Sequence, residues 1–247
     1  FKLIMVPVED SYFYNGFTFR FRNWAGVNGN NDHWNIDYVL LDDERTYNDT
    51  LFRDVAIVYT PERYLKNYRQ MPWNQFKNHQ STELAFDHGV FMYNNFNAII
   101  NTSHQFSAVE KYSGDVVVAP TAPVSVNLNP ASLAYNSYPS FEIPEATSGF
   151  DNDSLTIRFN YNITPSGDIN SRNDTIVHDQ AFYNYYAYDD GTAEQGYYLN
   201  AYGAKTAVRF TLNEADTLKS VRIYFDPITF NAATSDVDQL NIEFVFP

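Results

Sequence analysis

Apolar and polar positions alternate with a period of two through most of this chain. Near the start, Phe17, Phe19 and Phe21 fall on one side and Thr18, Arg20 and Arg22 on the other. That is the pattern of a strand with one dry face and one wet face. After the turn-rich "AGVNGNN", Trp34, Ile36, Tyr38 and Leu40 share a face against His33, Asn35, Asp37 and Val39. Trp34 is therefore expected as a core anchor that fixes strand register. Strands are predicted again at 54–59, 86–96, 99–111 and 116–119.

From Leu155 the alternation is cleanest, with Leu155, Ile157, Phe159 and Tyr161 on one face. Three later stretches, "AKTAVRFTL", "TLKSVRIYF" and "LNIEFVF", carry the same period. The proline-rich stretch between Ala119 and Ser154 reads as loops with short edge strands, because proline cannot join a central ladder. One region departs from the pattern. Thr60 as N-cap, Pro61 at the first helical position and Pro72 as a stop predict a short helix near 61–70. The class is all-β: tandem antiparallel β-sandwiches, of jelly-roll and immunoglobulin-like type. Boundaries fall near 50 and 180. Residues 1–50 close one jelly-roll sandwich, 51–180 form an immunoglobulin-like sandwich, and 181–247 open a further, truncated one. Both ends read as cut from something longer.

Composition narrows the partners. A formal charge of −14 and a pI near 4.6 leave no basic footprint for nucleic acid and disfavour anionic membrane surfaces. Aspartate outnumbers glutamate, as turns between strands demand. With no cysteine, thiol catalysis, zinc–thiolate sites and disulfides are excluded. No apolar run approaches the roughly 20 residues of a membrane helix.

Candidate chemistry is sparse. His33 and Asp37, on the face with Arg20 and Arg22, have the makings of a base–carboxylate pair, but cross-strand charge pairing on an outer sheet face explains them as well. No nucleophile elbow and no His-Glu-x-x-His motif occurs, so no catalytic residue is assigned. His79, His88, His104 and His178 lack metal spacing and are expected as solvated or locally bonded side chains. In "YDDGTAE", Asp189, Asp190 and Glu194 supply the hard oxygens that calcium favours, although Asp-Gly is also an ordinary turn signal. Asn28, Asn30 and Asp32 form a weaker oxygen cluster. A structural Ca²⁺ is the sole cofactor considered. Tyr183, Tyr185, Tyr186 and Tyr188 lie close together in "AFYNYYAY", with Phe182, Tyr197 and Tyr198 nearby. Tyrosine joins stacking area to a polar tip, which suits a protein partner or a sugar. A period-two strand must nonetheless bury about half of them.

Three islands, "GFTFRFRNWAGVNGNNDHWNIDYVLLD", "MPWNQF" and "NYYAYDDGTAEQGYYL", resemble a family of large secreted proteins of Bacteroidota. Members carry successive jelly-roll and immunoglobulin-like modules, and many end in a type IX secretion sorting domain, which is absent from this chain. The resemblance implies a secreted or cell-surface protein without catalytic activity, in organisms that often glide. In that setting the triplets ending at Leu51, Leu155, Ile176 and Leu218 gain meaning. Each is Asp, then Thr or Ser, then an aliphatic residue, and they are similar to the O-glycosylation acceptor of the same bacterial group. Composition alone gives about one such triplet in a chain of this size. Thr50, Ser154, Thr175 and Thr217 are the candidate acceptors, all in polar regions where a glycan can sit in solvent. Two functions follow as expectations. One is a surface protein that binds protein partners in secretion, gliding or adhesion. The other is a set of carbohydrate-binding modules beside a hydrolase.

Overall fold

In the computed structural model, residues 4–24, 34–36, 39–44, 46, 51–192 and 205–223 are described. Every strand among them falls between Val55 and Phe182. Strands β1 (Val55–Ile57), β2 (Asp87–Asn94) and β6 (Leu133–Pro139) form a three-stranded antiparallel sheet in the order β1-β2-β6. Strands β3 (Ile100–Glu110), β4 (Val116–Val118), β7 (Leu155–Pro165) and β8 (Thr175–Phe182) form the second, in the order β4-β3-β7-β8. Strand β5 (Val124–Leu128) joins the open edge of the first half of β3. The chain crosses between the sheets at β2–β3, β5–β6 and β6–β7, an interleaving that immunoglobulin-like sandwiches also use. The all-β class is the observed one, with short edge strands in the proline-rich region. The described residues show one pair of sheets, not a tandem series.

The reason these segments pair is visible in their sidedness. On β7, Leu155, Ile157, Phe159, Tyr161 and Ile163 are buried while Arg158, Asn160 and Asn162 look outward. On the neighbouring β3, Ile100, Thr102, His104, Phe106, Ala108 and Glu110 make the adjacent row of the same inner face. Between the sheets Phe106, Phe159, Tyr161, Phe182, Trp73 and Phe76 form the main apolar cluster. A smaller one, of Val55, Met92, Ile100, Leu128 and Ile163, closes the other end. At one position the sheet demands glycine: a Cβ on Gly89 would lie 2.1 Å from the Asn136 carbonyl oxygen across β2 and β6.

The predicted helix near 61–70 does not form. Short helices stand instead at α1 (Trp73–Phe76) and α2 (Gln80–Glu83). Tyr64, Tyr68 and Met71 are buried at helical spacing, which explains the expectation. The backbone N–H groups, however, go elsewhere: Glu62 donates to Gly89, Lys66 to Glu83, and Arg69 and Gln70 to Ala187. The segment is an irregular cover over one end of the sandwich.

The alternating segments outside 54–182 behave differently. Residues 17–21 and 205–223 form no strand in the described structure, and Phe19, Phe21, Val208, Phe210, Leu212 and Val221 are exposed. Trp34, expected as a core anchor, is 57% exposed, and Ile36 and Leu40 are exposed as well. Alternation sorts side chains only when a second sheet covers one face, and among the described residues no sheet covers these. Tyr38 and "LNIEFVF" lie outside the described residues.

Candidate functional site

Four tyrosines were candidates for a binding face, and the structure divides them. Past the end of β8, Trp73 N–H donates to the Tyr183 carbonyl at 3.1 Å, and Ala187 pairs with Gln70. The strand exit is thereby clamped to the cover segment. Tyr183 and Tyr185 stand in solvent beside each other, ring centroids 6.2 Å apart and 28° from parallel. Tyr186 is occupied: its ring packs on Tyr68 at 4.9 Å and its hydroxyl donates to Gln75 Oε1 at 3.2 Å. Burial is the main cause that pushes its phenol well above the usual range. Tyr188 packs on Tyr68 and Phe210, and its hydroxyl donates to the Arg209 carbonyl. Two of the four are free to meet a partner.

Gln75 explains how the 209–217 stretch is held. This side chain is fully buried; its amide N–H donates to the Glu214 carbonyl at 3.0 Å, and its oxygen accepts from Asn213 and Glu214 N–H at 2.9 Å each. Asn213 Nδ2 returns bonds to the Gln75 carbonyl and to Glu83. His79 meets the Glu214 carboxylate at 2.9 Å.

The acidic turn is used locally. Asp189 Oδ1 accepts from Gly191 N–H, and Asp190 Oδ1 accepts from both the amide and the hydroxyl of Thr192. Those bonds hold the Asp190 carboxyl below its ordinary range. Glu194, Asn28, Asn30 and Asp32 lie outside the described residues, as do His33 and Asp37. Among the described residues no group of three or more His, Asp or Glu side chains is placed to hold a metal ion. The densest carboxylate region, Asp54, Asp168 and Asp174, is largely engaged by amides. Asp54 accepts from Asn95 and Asn173, and Asp168 from the Val55 and Asn170 N–H groups. Burial, then Asp168 and Asp54, push the Asp174 carboxyl up to about 6.

Of the candidate acceptors, Ser154 sits exposed in the loop before β7, and Thr217 is exposed beside Asp216. Thr175 begins β8, exposed, its hydroxyl accepting from Asn162 Nδ2 at 2.8 Å. Thr50 lies outside the described residues.

Sequence reasoning missed two features. The first is internal. Of the two environments expected for His88 and His104, solvated or bonded, both are bonded, and in a buried setting that was not foreseen. His88 Nδ1 meets the Tyr161 hydroxyl at 2.6 Å, and His104 Nδ1 meets the Tyr138 hydroxyl at 2.6 Å. Strand β2 is thus joined to β7, and β3 to β6, so the two bonds cross between the sheets in opposite directions. His88 lies among Tyr64, Phe106, Phe141 and Phe159. Burial lowers it to about 4, so it is neutral at pH 7. The period-two register of His88 and His104 with their apolar neighbours was the available signal.

The second feature is external, on the outer face of the three-stranded sheet. Phe91 and Tyr135 are directly opposed across β2 and β6, centroids 4.9 Å apart, with Tyr59 edge-on to Phe91 at 5.8 Å. Together with Leu65 and Phe86, Phe91 and Tyr135 line an open recess of about 300 Å³. Its polar rim is Glu62, Arg63, Lys66 and Asp87. Burial, then the Asp87 and Glu62 charges, push the Tyr135 phenol up to about 12. The β2 segment was legible as a strand, but β6 lay in the stretch read as loops with short edge strands, and their pairing was not legible.

No family model, curated protein or solved structure matches this chain. No helix among the described residues is long and apolar enough to cross a membrane.

Proposed function

We propose that this chain is a non-catalytic binding protein of the cell surface. It is secreted, and it engages protein partners in type IX secretion, gliding or adhesion, as its likeness to the Bacteroidota surface family implies. The observation that supports this reading is the pair Tyr183 and Tyr185. Both rings are in solvent, side by side, on a strand exit clamped by backbone bonds to the sandwich. Rigid aromatics of this kind make interface anchors at small entropic cost. The test is made in a gliding bacterium that carries the gene. Antibody labelling of intact cells should find the protein outside, and the Tyr183→Ala/Tyr185→Ala variant should be surface-displayed but lower cell attachment or gliding several-fold. Labelling only after lysis would overturn the location, and an unchanged double variant would overturn the tyrosine pair.

A second reading, carbohydrate-binding modules attached to a hydrolase, is favoured by one separate observation. That is the aromatic recess of the three-stranded sheet, with four hydrogen-bonding charged groups at its rim.

A further inference from the structure

We propose that this recess is a binding site for a neutral pyranose unit of an oligosaccharide or polysaccharide. The proposal deepens the second reading but needs no neighbouring hydrolase, and it does not depend on Tyr183 or Tyr185.

The floor comes first. Phe91 and Tyr135 are tilted 37° to each other, which gives a shallow aromatic trough on the sheet surface. A pyranose presents just such a partner: one face of axial C–H groups, weakly polar, with its hydroxyls splayed around the equator. C–H groups over an aromatic face gain dispersion and quadrupole attraction. The hydroxyls then need donors and acceptors in the plane of the rim, and the recess has both kinds. Glu62 and Asp87 accept, Arg63 and Lys66 donate, and the Tyr135 hydroxyl sits among them. A carboxylate facing a sugar hydroxyl is a charge-assisted acceptor, stronger than a neutral one.

The charge balance selects the class of ligand. The chain carries −14 overall, yet the rim holds two acids and two bases. Local neutrality on a strongly acidic molecule gives no pull on a polyanion and little on a basic peptide. A ligand that is polar and uncharged fits best. At about 300 Å³ the recess lies at the small end of ligand sites, suited to one or two rings with the rest of a glycan running out along the sheet.

Two aromatics at or beside the recess stand well out of the surface on fixed or strained backbone. Phe86 is 96% exposed, although its carbonyl is fixed by Ser140 N–H. Tyr59, 67% exposed, occupies a left-handed backbone conformation with φ at +70°, which costs a non-glycine residue energy. The walls are pre-set. Glu62 and Lys66 N–H bond to Gly89 and Glu83, Ala85 N–H to Tyr64, and Leu65 bridges Leu84. The backbone of these walls needs little ordering on binding, which favours affinity.

The experiment uses the full chain on an array of neutral oligosaccharides, negatively charged ones and short peptides, followed by calorimetry with the best neutral hit. Binding in the micromolar to millimolar range is expected, confined to neutral glycans. Phe86→Ala and Tyr135→Ala should each weaken it at least about tenfold, whereas Tyr183→Ala/Tyr185→Ala should leave it unchanged. Phe86 is so exposed that its removal leaves the fold intact, which a melting curve verifies. The proposal is overturned if no neutral glycan binds at millimolar concentration. It is equally overturned if peptides or anionic glycans bind better, or if Phe86→Ala binds as tightly as the parent. Loss of the tyrosine pair's effect on cells, with glycan binding intact, would sink the first reading alone.

Discussion

Two stretches of this chain carry nearly the same sequence pattern and meet opposite fates. In 155–163, alternate apolar residues sit at the centre of the molecule, each at or below 4% exposure. In 205–223, alternate apolar residues from Val208 to Ile223 are about half exposed, and no strand forms. The difference is not local propensity. Strand β7 has neighbours on both edges and an opposing sheet over its apolar face. The later stretch is held along 209–216, where Tyr68 and Tyr188 meet Thr211, Arg209 and Phe210, and Asn213 and Glu214 grip the Gln75 amide. A period of two states which side chains belong together; burial follows only when a second surface is supplied.

That contrast can be broken most forcefully from inside. Phe159→Ala should lower stability by about 3–5 kcal/mol through lost burial and an unfilled cavity, read as a shift in urea midpoint. A smaller but more specific effect concerns His88. Its folded-state pKa, about 4, lies below the ordinary value of 6.5, so the unfolded chain takes up a proton first as pH falls. The stabilisation is complete above pH 6.5 and is lost toward pH 4, amounting to about 3 kcal/mol. Asp174 shifts upward and acts in the opposite sense over part of that range. The measurement is therefore the difference in pH slope between the parent and His88→Phe, which should flatten the acid limb.

Gln75→Ala sharpens the comparison at the boundary between the two regions. Removing this hub should cost about 1–2 kcal/mol and raise amide exchange at Asn213 and Glu214 while strands β3 and β7 stay protected. Least of all, Phe19→Ala or Val208→Ala should change stability by no more than about 0.5 kcal/mol, since neither side chain is buried.

How far the sequence carried is clearest at particular residues. Leu155, Ile157, Phe159 and Tyr161 were assigned to one face from spacing alone, and so were the strands that became β2, β3 and β4, because alternation there coincides with real pairing. Trp34 failed for the opposite reason: size and periodicity marked it for a core that the described residues do not provide. The 61–70 segment misled because Tyr64, Tyr68 and Met71 repeat at helical spacing while their backbone bonds run to Gly89, Glu83 and Ala187, partners far along the chain. The tyrosine pair was legible as composition, its split into free and packed members was not. The aromatic trough needed the register of Phe91 against Tyr135, which no local pattern encodes.

Hydrogen exchange of the intact chain, followed by mass spectrometry, tests the core of this account most directly. Amides of β2, β3 and β7 should open only with global unfolding. Those in 17–21 and 205–223 should exchange orders of magnitude faster, apart from Thr211, Asn213 and Glu214, whose N–H groups bond to Tyr68 and Gln75. Equal protection across both regions would contradict it, because the flanking apolar residues would then have found a covering sheet of their own.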